Sequence, residues 1–475
     1  MPECINGIST IIGKTVYTTV STTKCRFMRL NTITISGLCV FLLAGNAAAE
    51  NYTFNYPQAV ERALALDPRI TEREKLVDVA RGLLTEAKEG DSWIYDFNAF
   101  LAVAPSIRGG FFEGPDGRFD PNSLDFEGIG PWYNLDFTIV RPIYTYGKIE
   151  NYAEAAKNNI KIKQGDVALQ RAQVYMDLTT AYFGYLAARD GRFLMEDAAK
   201  KLNAAVNLVQ GWVDEGKGKQ SDLFALQTGV ALVNRYHAEL SGSEKIAQAA
   251  LRMLLGLNAE DSVELADSRL APVAMPEKTL DELQKMALID RPEMGQVEAG
   301  LKARRALLAA KNSEAYPNLY SGVGGTFAYS PERVATSDVA VYDPFNHAGF
   351  SPVLGVKWDW YSGRQQAQVK QAQSELDALV EKKSFALQGI PFQVAQQFHT
   401  VHSQHEMVDQ LYQASRSGRR WLIATYADFE AGVEKADKVM TALQAYVLAY
   451  GDYLKTVNEF NLSVARLKVA TGELP

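Results

Sequence analysis

One stretch decides the fold, because in it a predicted strand runs directly into a predicted long helix. It reads Tyr133-Asn134-Leu135-Asp136-Phe137-Thr138-Ile139, then Pro142-Ile143-Tyr144-Thr145-Tyr146-Gly147-Lys148. Apolar and polar residues alternate in the first part, which is typical of a strand with one apolar and one wet face. The pattern recurs before the helix at Arg364, where the apolar positions are Leu354, Val356, Trp358 and Trp360.

The helix that follows is predicted from about Ile149 to Trp212, roughly 96 Å at 1.5 Å per residue. At its start, apolar positions follow the alternating four and three spacing of a coiled coil, namely Ile149, Ala153, Ala156, Ile160 and Val167. After a break at Gly216 to Gly218, Ser221 begins a return helix to Leu257. The sequence therefore predicts an antiparallel helical hairpin that is too long for a globular core.

An internal repeat organises the chain. Three glycines recur 216 positions later, so that Gly147, Gly216 and Gly256 correspond to Gly363, Gly432 and Gly472. Each copy has a helix, two strands around a loop, a long helix, a break and a return helix. We predict a signal peptide over 1–49, a first repeat over 50–257 with strands near 95–105 and 132–146, a linker over 258–280, and a second repeat over 281–475 with strands near 318–329 and 351–361.

The second copy has its long helix from about Arg364 to Ala431 and its return helix from about Asp437 to Thr471. Pro391 lies inside this long helix, where we expect a kink or a change in packing. The weaker partner strands are Phe97 to Val103 and Leu319 to Tyr329, and the loops between partners are predicted over 108–131 and 330–350.

The leader has the pattern of a signal peptide. An apolar run of 12 residues, Ile33 to Ala44, follows basic residues and precedes Ala47-Ala48-Ala49; residues 1–27 are interpreted as an upstream start-site artefact or an extended basic region. All three cysteines, Cys4, Cys25 and Cys39, lie within this segment, and Cys39 does not have the context of a lipidation site. Disulfides, thiolate metal sites and cysteine nucleophiles are thereby excluded from the predicted mature protein.

The composition excludes further classes of protein. With 49 Lys and Arg against 56 Asp and Glu, the net charge is −7, which does not suit a nucleic-acid partner. The mean hydropathy of −0.16 argues against a bundle of membrane-spanning helices, but not against crossing by strands. No Ser-His-Asp set or phosphate-binding glycine loop has the required context, so we predict no enzyme, no catalytic residue and no cofactor.

Four strands with one apolar face fit either a small soluble core or a share of a transmembrane barrel. A sheet in lipid must close, and barrels begin at about 8 strands, so four strands per chain require an oligomer. Two copies would supply eight strands and three copies twelve. Export and the long helices favour the barrel.

The sequence resembles the TolC-like outer membrane efflux protein family over about residues 56–474. The matching segments are Pro142 to Lys148 and Trp358 to Arg364 at the strand–helix junctions, Val213 to Gly216 with Ser221-Asp222 and Phe429 to Gly432 at the helical turns, and Leu255 to Leu257 and Thr471 to Leu474 at the repeat ends. The resemblance implies an α+β membrane protein in the outer membrane. Its homotrimer would form a 12-stranded β-barrel, four strands per chain, continued by a long α-helical coiled-coil tunnel in the periplasm.

The function implied is that of the outer membrane channel of a tripartite efflux or type I secretion system. The implied partners are a periplasmic adaptor protein, an inner-membrane pump and outer-membrane lipid, and the exported substrate would be a drug, a metal or a protein. The alternatives are a periplasmic coiled-coil adaptor or structural interaction protein, and an exported soluble enzyme. Two hairpins in tandem favour the channel.

The resemblance also implies that the hairpin tips form a periplasmic gate, with candidate residues Gly216, Asp222, Phe429, Gly432, Glu434 and Asp437. Asp222 is predicted either to bond across to the second hairpin or to cap its own helix. Where some members carry Arg and two Asp, this chain has Glu434, Lys438 and Thr441, which weakens the expected acidic ring. Glu434 and Asp437 are predicted either to charge the gate or to pair with Lys435 and Lys438.

Two polar clusters in the sequence are considered as metal sites, and neither is predicted to bind a metal. His399, His402 and His405 span too wide an arc of one helix for joint chelation, so we predict a polar helix face. The acidic loop residues Asp116, Asp120, Asn122, Asp125 and Glu127 do not have the spacing of a calcium loop, so solvation of a surface loop is favoured over calcium binding.

Overall fold

A computed structural model describes residues 51–108, 125–258, 260–333, 342–359 and 362–473. The chain separates into Met1–Ala48 and Ala49–Pro475, and only the second unit contains described residues. The predicted signal peptide with its three cysteines, the loop residues Asp116, Asp120 and Asn122, and Trp360 and Leu474 therefore lie outside the described part.

The described chain is mostly helical with a few strands. The helices are α1 (Tyr56–Leu66), α2 (Pro68–Lys88), α3 (Lys148–Asp214), α4 (Gln220–Leu254), α5 (Leu280–Asp290), α6 (Pro292–Ser313), α7 (Ser362–Glu430) and α8 (Ala436–Thr471). The strands are β1 (Asn51–Phe54), β2 (Ile94–Arg108), β3 (Asp125–Tyr144), β4 (Ser262–Leu265), β5 (Asn318–Tyr329) and β6 (His347–Lys357).

Four strands form an antiparallel sheet in the order β2-β3-β5-β6. The register places Phe97 opposite Phe137, Phe137 opposite Gly325, and Gly325 opposite Phe350, so these positions share one face. That face is apolar, and most of its large side chains are exposed: Tyr95, Phe97, Leu101, Val103, Tyr133, Leu135, Phe327, Tyr329, Phe350, Leu354 and Val356. The predicted alternation is therefore present in β3 and, at Leu354 and Val356, in β6. The apolar face has no cover within the described chain.

The strand limits differ from the prediction in two places. β3 begins at Asp125, so the segment from there to Pro131, predicted as loop, continues the ladder with β2 through a register shift at Ser106. β6 covers 347–357, earlier than predicted, and ends before Trp358. The Trp358 indole N–H instead donates to the Ala315 carbonyl at 3.1 Å, which ties the strand exit to the end of α6.

The two long hairpins are held by seams that repeat every seven residues, the spacing of coiled coils. In α3 the buried seam is Val174, Ala181, Ala188, Met195, Leu202 and Val209. In α7 it is Val394, Val401, Val408, Ser415, Leu422 and Phe429. The five positions predicted as a seam at the start of α3 are only half-buried. α3 also packs against α2 and α6.

The helix pairs α1/α2 and α5/α6 both break at a residue before proline, where helical backbone is disfavoured. Asp67 has extended backbone and caps α2 through its side chain, which accepts from the Arg69 N–H at 2.9 Å. Arg69 in turn donates to the Asp67 and Asp177 carboxylates at 2.8 and 2.7 Å. This contact fixes the α1/α2 corner on α3.

α7 is continuous through Pro391, so the helix does not end there. The packing of α7 does change at this point. Before it, α7 is bonded to α6, as by Arg304 to Glu375; at Pro391 its carbonyl accepts from Gln284 of α5 at 3.0 Å. Beyond it the buried seam with α8 begins.

The segment between the repeats contains an element that the sequence did not predict. β4 pairs in parallel with β1, with Asn51 opposite Ser262. Nearby, the Tyr182 hydroxyl donates to the Asp267 carboxylate at 2.5 Å, and burial followed by this carboxylate raises the pKa of Tyr182. This bond ties the segment between the repeats to α3 at Asp267.

None of the helices in the described residues has an apolar stretch long enough to cross a membrane.

Candidate functional site

The first hairpin tip, between α3 and α4, turns at Gly216, whose φ of +72° is a left-handed conformation that favours glycine. The Gly216 N–H donates to the Val213 carbonyl at 2.9 Å. The N–H groups of Lys217 and Gly218 both donate to the Trp212 carbonyl at 2.8 Å. These bonds satisfy the last carbonyls of α3 and close the turn as a helix C-cap.

The second tip, between α7 and α8, has the same backbone bonds at positions 216 residues later. Gly432 has φ +77°, and its N–H donates to the Phe429 carbonyl at 3.0 Å. The N–H groups of Val433 and Glu434 both donate to the Asp428 carbonyl, at 2.9 and 3.2 Å. Both glycines singled out from the sequence therefore form equivalent turns.

Asp222 does neither of the two things predicted for it. Helix α4 starts at Gln220 with Lys219 as its N-cap, without a side-chain cap, so Asp222 lies inside the first turn. Among the described residues its side chain has one hydrogen bond, from the adjacent Ser221 hydroxyl at 3.4 Å, and none to the second hairpin. A carboxylate in this turn still stabilises the helix through the positive end of its dipole.

Glu434, just before α8, and Asp437, in its first turn, are both exposed; the N-cap of α8 is Lys435, again without a side-chain cap. Within the described part of the chain, neither carboxylate lies within ion-pair distance of Lys435 or Lys438. The predicted pairing is therefore wrong, and two free carboxylates and two lysines share the second tip.

Phe429 was predicted at the tip, and the structure places it inside rather than on the surface. It is 1% exposed and packs edge-on against Trp212 of α3, with ring centroids 5.4 Å apart. The Tyr426 ring lies 6.2 Å from it, and burial, followed by the nearby Glu430 carboxylate, raises the pKa of that tyrosine. Phe429 therefore joins the two hairpins through its contact with Trp212. The exposed apolar residues at the tips are Phe224 and Val433.

The polar face of the sheet is a second candidate surface. It carries Asn134, Asp136 and Thr138, as predicted, and also Asp96 and Asn98 of β2, which sequence reasoning missed. The alternation in β2 was the available signal, but Phe100 and the alanines on this face obscured it. Together these residues give the sheet a polar face that carries carboxylates and amides.

The described parts of the segment between β5 and β6, 330–333 and 342–346, pack on the far end of this polar face. The Ser106 hydroxyl donates to the Glu332 carbonyl, and the Arg333 guanidinium donates to the Pro105 carbonyl, both at 2.9 Å. Phe345 packs on Trp132 with centroids 5.1 Å apart. The sequence predicted a loop here but not its direction, which depends on these long-range contacts.

The histidine cluster does not converge. His399 is exposed, His402 Nδ1 lies 3.0 Å from the Phe398 carbonyl of its own helix, and the His405 ring packs at 5.5 Å from Phe460. Within the described residues, no group of three His, Cys, Asp or Glu side chains is placed to hold a metal ion. The side chains of Asp125 and Glu127 lie outside the described part.

Comparison with known proteins agrees with this architecture. The chain is 23% identical over 360 residues to the probable outer membrane lipoprotein SilC of Salmonella typhimurium, covering 73% of each chain. Its fold is similar to that of the outer-membrane channel OprN, with a TM-score of 0.71, 15% identity and coverage of 88% of this chain and 90% of that one. It is also similar to the Campylobacter jejuni CmeC outer membrane channel, with a TM-score of 0.73, 13% identity and coverage of 88% and 85%. No protein-family model matches the sequence.

The fold is therefore that of outer membrane channels built from a small sheet and long helical hairpins. The resemblance to the TolC-like outer membrane efflux proteins that the sequence predicted is confirmed at the level of the fold. The predicted outer membrane localisation agrees with these relatives, each of which is an outer membrane protein by name.

Proposed function

We propose that the protein is an outer membrane channel in which three copies close one barrel and one helical tunnel, through which substrates leave the periplasm passively. The observation that carries this proposal is the four-stranded sheet, apolar and exposed on one face and polar on the other, from which two long hairpins extend. In a barrel the apolar face would contact lipid and the polar face water.

The sheet cannot satisfy its own edges. β2 and β6 are its outer strands, and each has a neighbour on one side only. Unpaired strand edges are not tolerated in hydrocarbon, so β6 of one copy must pair with β2 of the next until the ring closes. Three copies would give twelve strands, enough for a water-filled interior.

The helices follow the same linear order. α3 packs on α4, α6 and α8, and α8 packs on α7. Along the chain, α2 leads into the edge strand β2 and the other edge strand, β6, leads into α7. Helices of 67 and 69 residues would extend the passage by roughly 100 Å. This arrangement favours a channel over an adaptor, since an adaptor would carry one hairpin between β-rich domains.

We further propose that the chain consists of two tandem repeats and works with a periplasmic adaptor and an inner-membrane pump that dock at the tips. The equal order of elements in the two halves and the equivalent bonds at Gly216 and Gly432 support the repeats. The exposed Phe224 and Val433 offer apolar contacts for a docking partner. Whether the cargo is a drug, a metal or a protein depends on the pump.

The first test is the native mass of the protein extracted in detergent from a separated outer-membrane fraction, with detergent mass subtracted. Three chains are expected. A soluble monomer in the periplasm would overturn the channel, because the apolar face of the sheet would then have to be covered within one chain.

The second test concerns the tip charges. If Asp222 and Glu434 line the entrance, Asp222→Asn with Glu434→Gln should change single-channel conductance and lower the preference for cations in planar bilayers. Glu74→Gln, an exposed change on α2, is the matched control. Unchanged conductance would remove these residues from the gate.

A further inference from the structure

The buried positions of the four-stranded sheet are gathered toward one end of its polar face. In the part of the sheet that the structure describes, they are Ala104, Ser106, Gly130, Asn134 and Ala328. Gly130 lies opposite Ala104, and Asn134 lies opposite Ala328. Because positions two apart along a strand share a face, all five belong to the polar face. Something within the chain therefore covers this end of the sheet.

The cover is the segment between β5 and β6, whose described parts, 330–333 and 342–346, we call the strap. The Glu332 side chain lies directly on Gly130, since a Cβ added to this glycine would be 3.0 Å from the Glu332 Cβ. The hydrogen bonds from Ser106 to the Glu332 carbonyl and from Arg333 to the Pro105 carbonyl hold the strap on β2. The strap thus starts from β5 and reaches across the sheet to β2 and β3.

The two arms of the strap are joined by a stack of side chains. The Arg333 guanidinium lies over the Phe345 ring, with its central carbon 4.3 Å from the ring centroid. Phe345 in turn packs edge-on against Trp132 of β3, with centroids 5.1 Å apart. At the base of the strap, the Ser330 N–H donates to Asn346 Oδ1 at 2.8 Å. The strap is therefore seated as one unit.

This seat is incompletely paired. Among the described residues, four buried side-chain atoms at the strap and beneath it have no hydrogen-bond partner, namely Trp132 Nε1, Ser330 Oγ, Arg333 Nε and Asn346 Nδ2. Burying a polar atom without a partner costs free energy, and water would pair with these atoms if the strap moved away. The closed position is thus held by few bonds and carries a cost that opening removes.

The strap lies at the end of the sheet that is remote from the helices. α2 and α6 precede β2 and β5, and α3 and α7 follow β3 and β6, so the helices join the strands at one common end. In the channel proposed above, the helices extend into the periplasm and the polar face lines the passage. The strap would then lie inside the passage at its outer end.

We propose that the strap narrows the outer end of the passage in the resting protein and swings off β2 and β3 when cargo leaves. This inference rests on the proposed channel and adds to it a second point of closure, separate from the hairpin tips. Three copies would place three straps around one exit.

A disulfide tests whether the strap is seated in the assembled protein, because no cysteine follows Cys39 in the sequence. The matched pair is Gly130→Cys with Glu332→Cys, whose Cβ atoms need to separate only slightly to reach the 3.5–4.5 Å that is typical of a disulfide, at about half an ångström. The control pair is Gly324→Cys with Glu332→Cys. Gly324 lies opposite Thr138, eight residues from Gly130 and about 26 Å further along the strands.

Outer membranes are denatured without reductant and treated with a heavy maleimide that shifts the gel band once for each free thiol. The matched pair should give no shift until it is reduced, and the control pair should give two shifts at once. Free thiols in the matched pair would overturn the seated strap.

A reporter thiol tests whether the strap closes the passage. Thr138→Cys lies on the polar face, deeper than the strap. In intact cells, a bulky maleimide that cannot cross membranes should label this thiol slowly. Labelling should become faster when Arg333→Ala and Phe345→Ala are added, and Phe345→Ala alone, which keeps both hydrogen bonds to β2, should give an intermediate rate.

The matched control for strap release is Arg141→Ala. Arg141 also donates to a backbone carbonyl, that of Asp91 at 2.7 Å, but at the helix end of the same sheet. It should leave the labelling rate of Thr138→Cys unchanged. Rates are compared at equal amounts of assembled protein, so that a variant that fails to assemble is not counted as open.

Failure of this inference can be separated from failure of the channel. A detergent mass of three chains, with equal labelling rates whether or not the strap is released, would reject the strap as a closure and leave the channel. A mass of one chain would reject both.

Discussion

At the residue scale, Phe429 shows how a motif position acquires a different role in the structure. The sequence predicted it as part of a turn, and the structure buries it in contact with Trp212 and Tyr426. It is the last member of the α7 seam, so it carries the contact between the two hairpins close to their tips.

We expect Phe429→Ala to destabilise the protein by about 3–5 kcal/mol, because it removes a fully buried ring and leaves a cavity. The measurement is thermal unfolding of the purified protein followed by far-UV circular dichroism. Val433→Ala, at a tip residue that is 77% exposed, should change stability by less than about 0.5 kcal/mol. Equal effects of the two substitutions would contradict the buried position of Phe429.

Asp67 is a buried carboxylate, and its charged form is stabilised by Arg69. Hydrogen bonds from the Arg69 guanidinium lower the pKa of Asp67 from its ordinary 3.8. A lowered pKa in the folded state means that this stabilisation is complete above pH 3.8 and is lost as the pH falls through the folded value.

Arg69→Met should therefore cost about 1 kcal/mol at pH 7, the partly exposed guanidinium being screened by solvent. This difference from the unsubstituted chain should shrink below pH 3.8. Urea unfolding at neutral and acidic pH checks it. Arg81→Met, which breaks an exposed pair with Asp78, should have little effect at either pH. A difference that grows on acidification would contradict a lowered pKa of Asp67 in the folded protein.

At the scale of elements, both hairpins use the same kind of turn. In each, a glycine in the left-handed conformation lies two residues after the end of the first helix. The bonds at Gly216 and Gly432 match one for one, although the side chains around them differ. The turn geometry therefore belongs to the backbone, while the charges at the tip are free to vary.

Gly216→Ala and Gly432→Ala should each destabilise their hairpin by about 1–2 kcal/mol, since an L-residue is strained at positive φ. Gly242→Ala, in the interior of α4 where an added Cβ meets no atom within 4 Å, should have the opposite sign, a gain of about 0.5–1 kcal/mol. Unfolding midpoints of the three variants decide between these outcomes. A stabilising Gly216→Ala would contradict the left-handed turn.

At the scale of the whole molecule, the two faces of the sheet require different surroundings. Phe350 lies on the apolar face opposite Gly325, and Ser351, one residue later, lies on the polar face opposite Gly324. A charge on the first would enter lipid in the proposed barrel, and a charge on the second would enter water.

Phe350→Lys should cost about 2–4 kcal/mol if this position lies near the middle of the bilayer, and should lower the amount of trimer in the outer membrane. Ser351→Lys, in the adjacent position, should assemble normally. Immunoblotting of separated membrane fractions compares the two. Assembly of Phe350→Lys at the normal level would contradict a lipid-facing surface.

Local sequence was sufficient to predict most of the elements. Period-two alternation predicted β3 and β6, and the limits of α3, α4, α7 and α8 were predicted within about two residues, except the C-terminal end of α4, which lies three residues short of Leu257. These features are local, because strand faces, heptad seams and glycine turns are set by residues close in sequence. The glycine-rich β5 was also expected, from its position in the second repeat.

How these elements meet depends on the tertiary structure. The parallel pair β1–β4, the extension of β3, the loop over the polar face and the burial of Phe429 all depend on contacts between distant segments, which a local pattern does not encode. Glu434 illustrates the same limit, because its lysine partners were predicted from proximity in sequence and the described chain does not bring them within ion-pair distance. The order of residues determines which faces are apolar, and the packing of hairpin on hairpin determines which of them the chain covers itself and which it leaves for another copy.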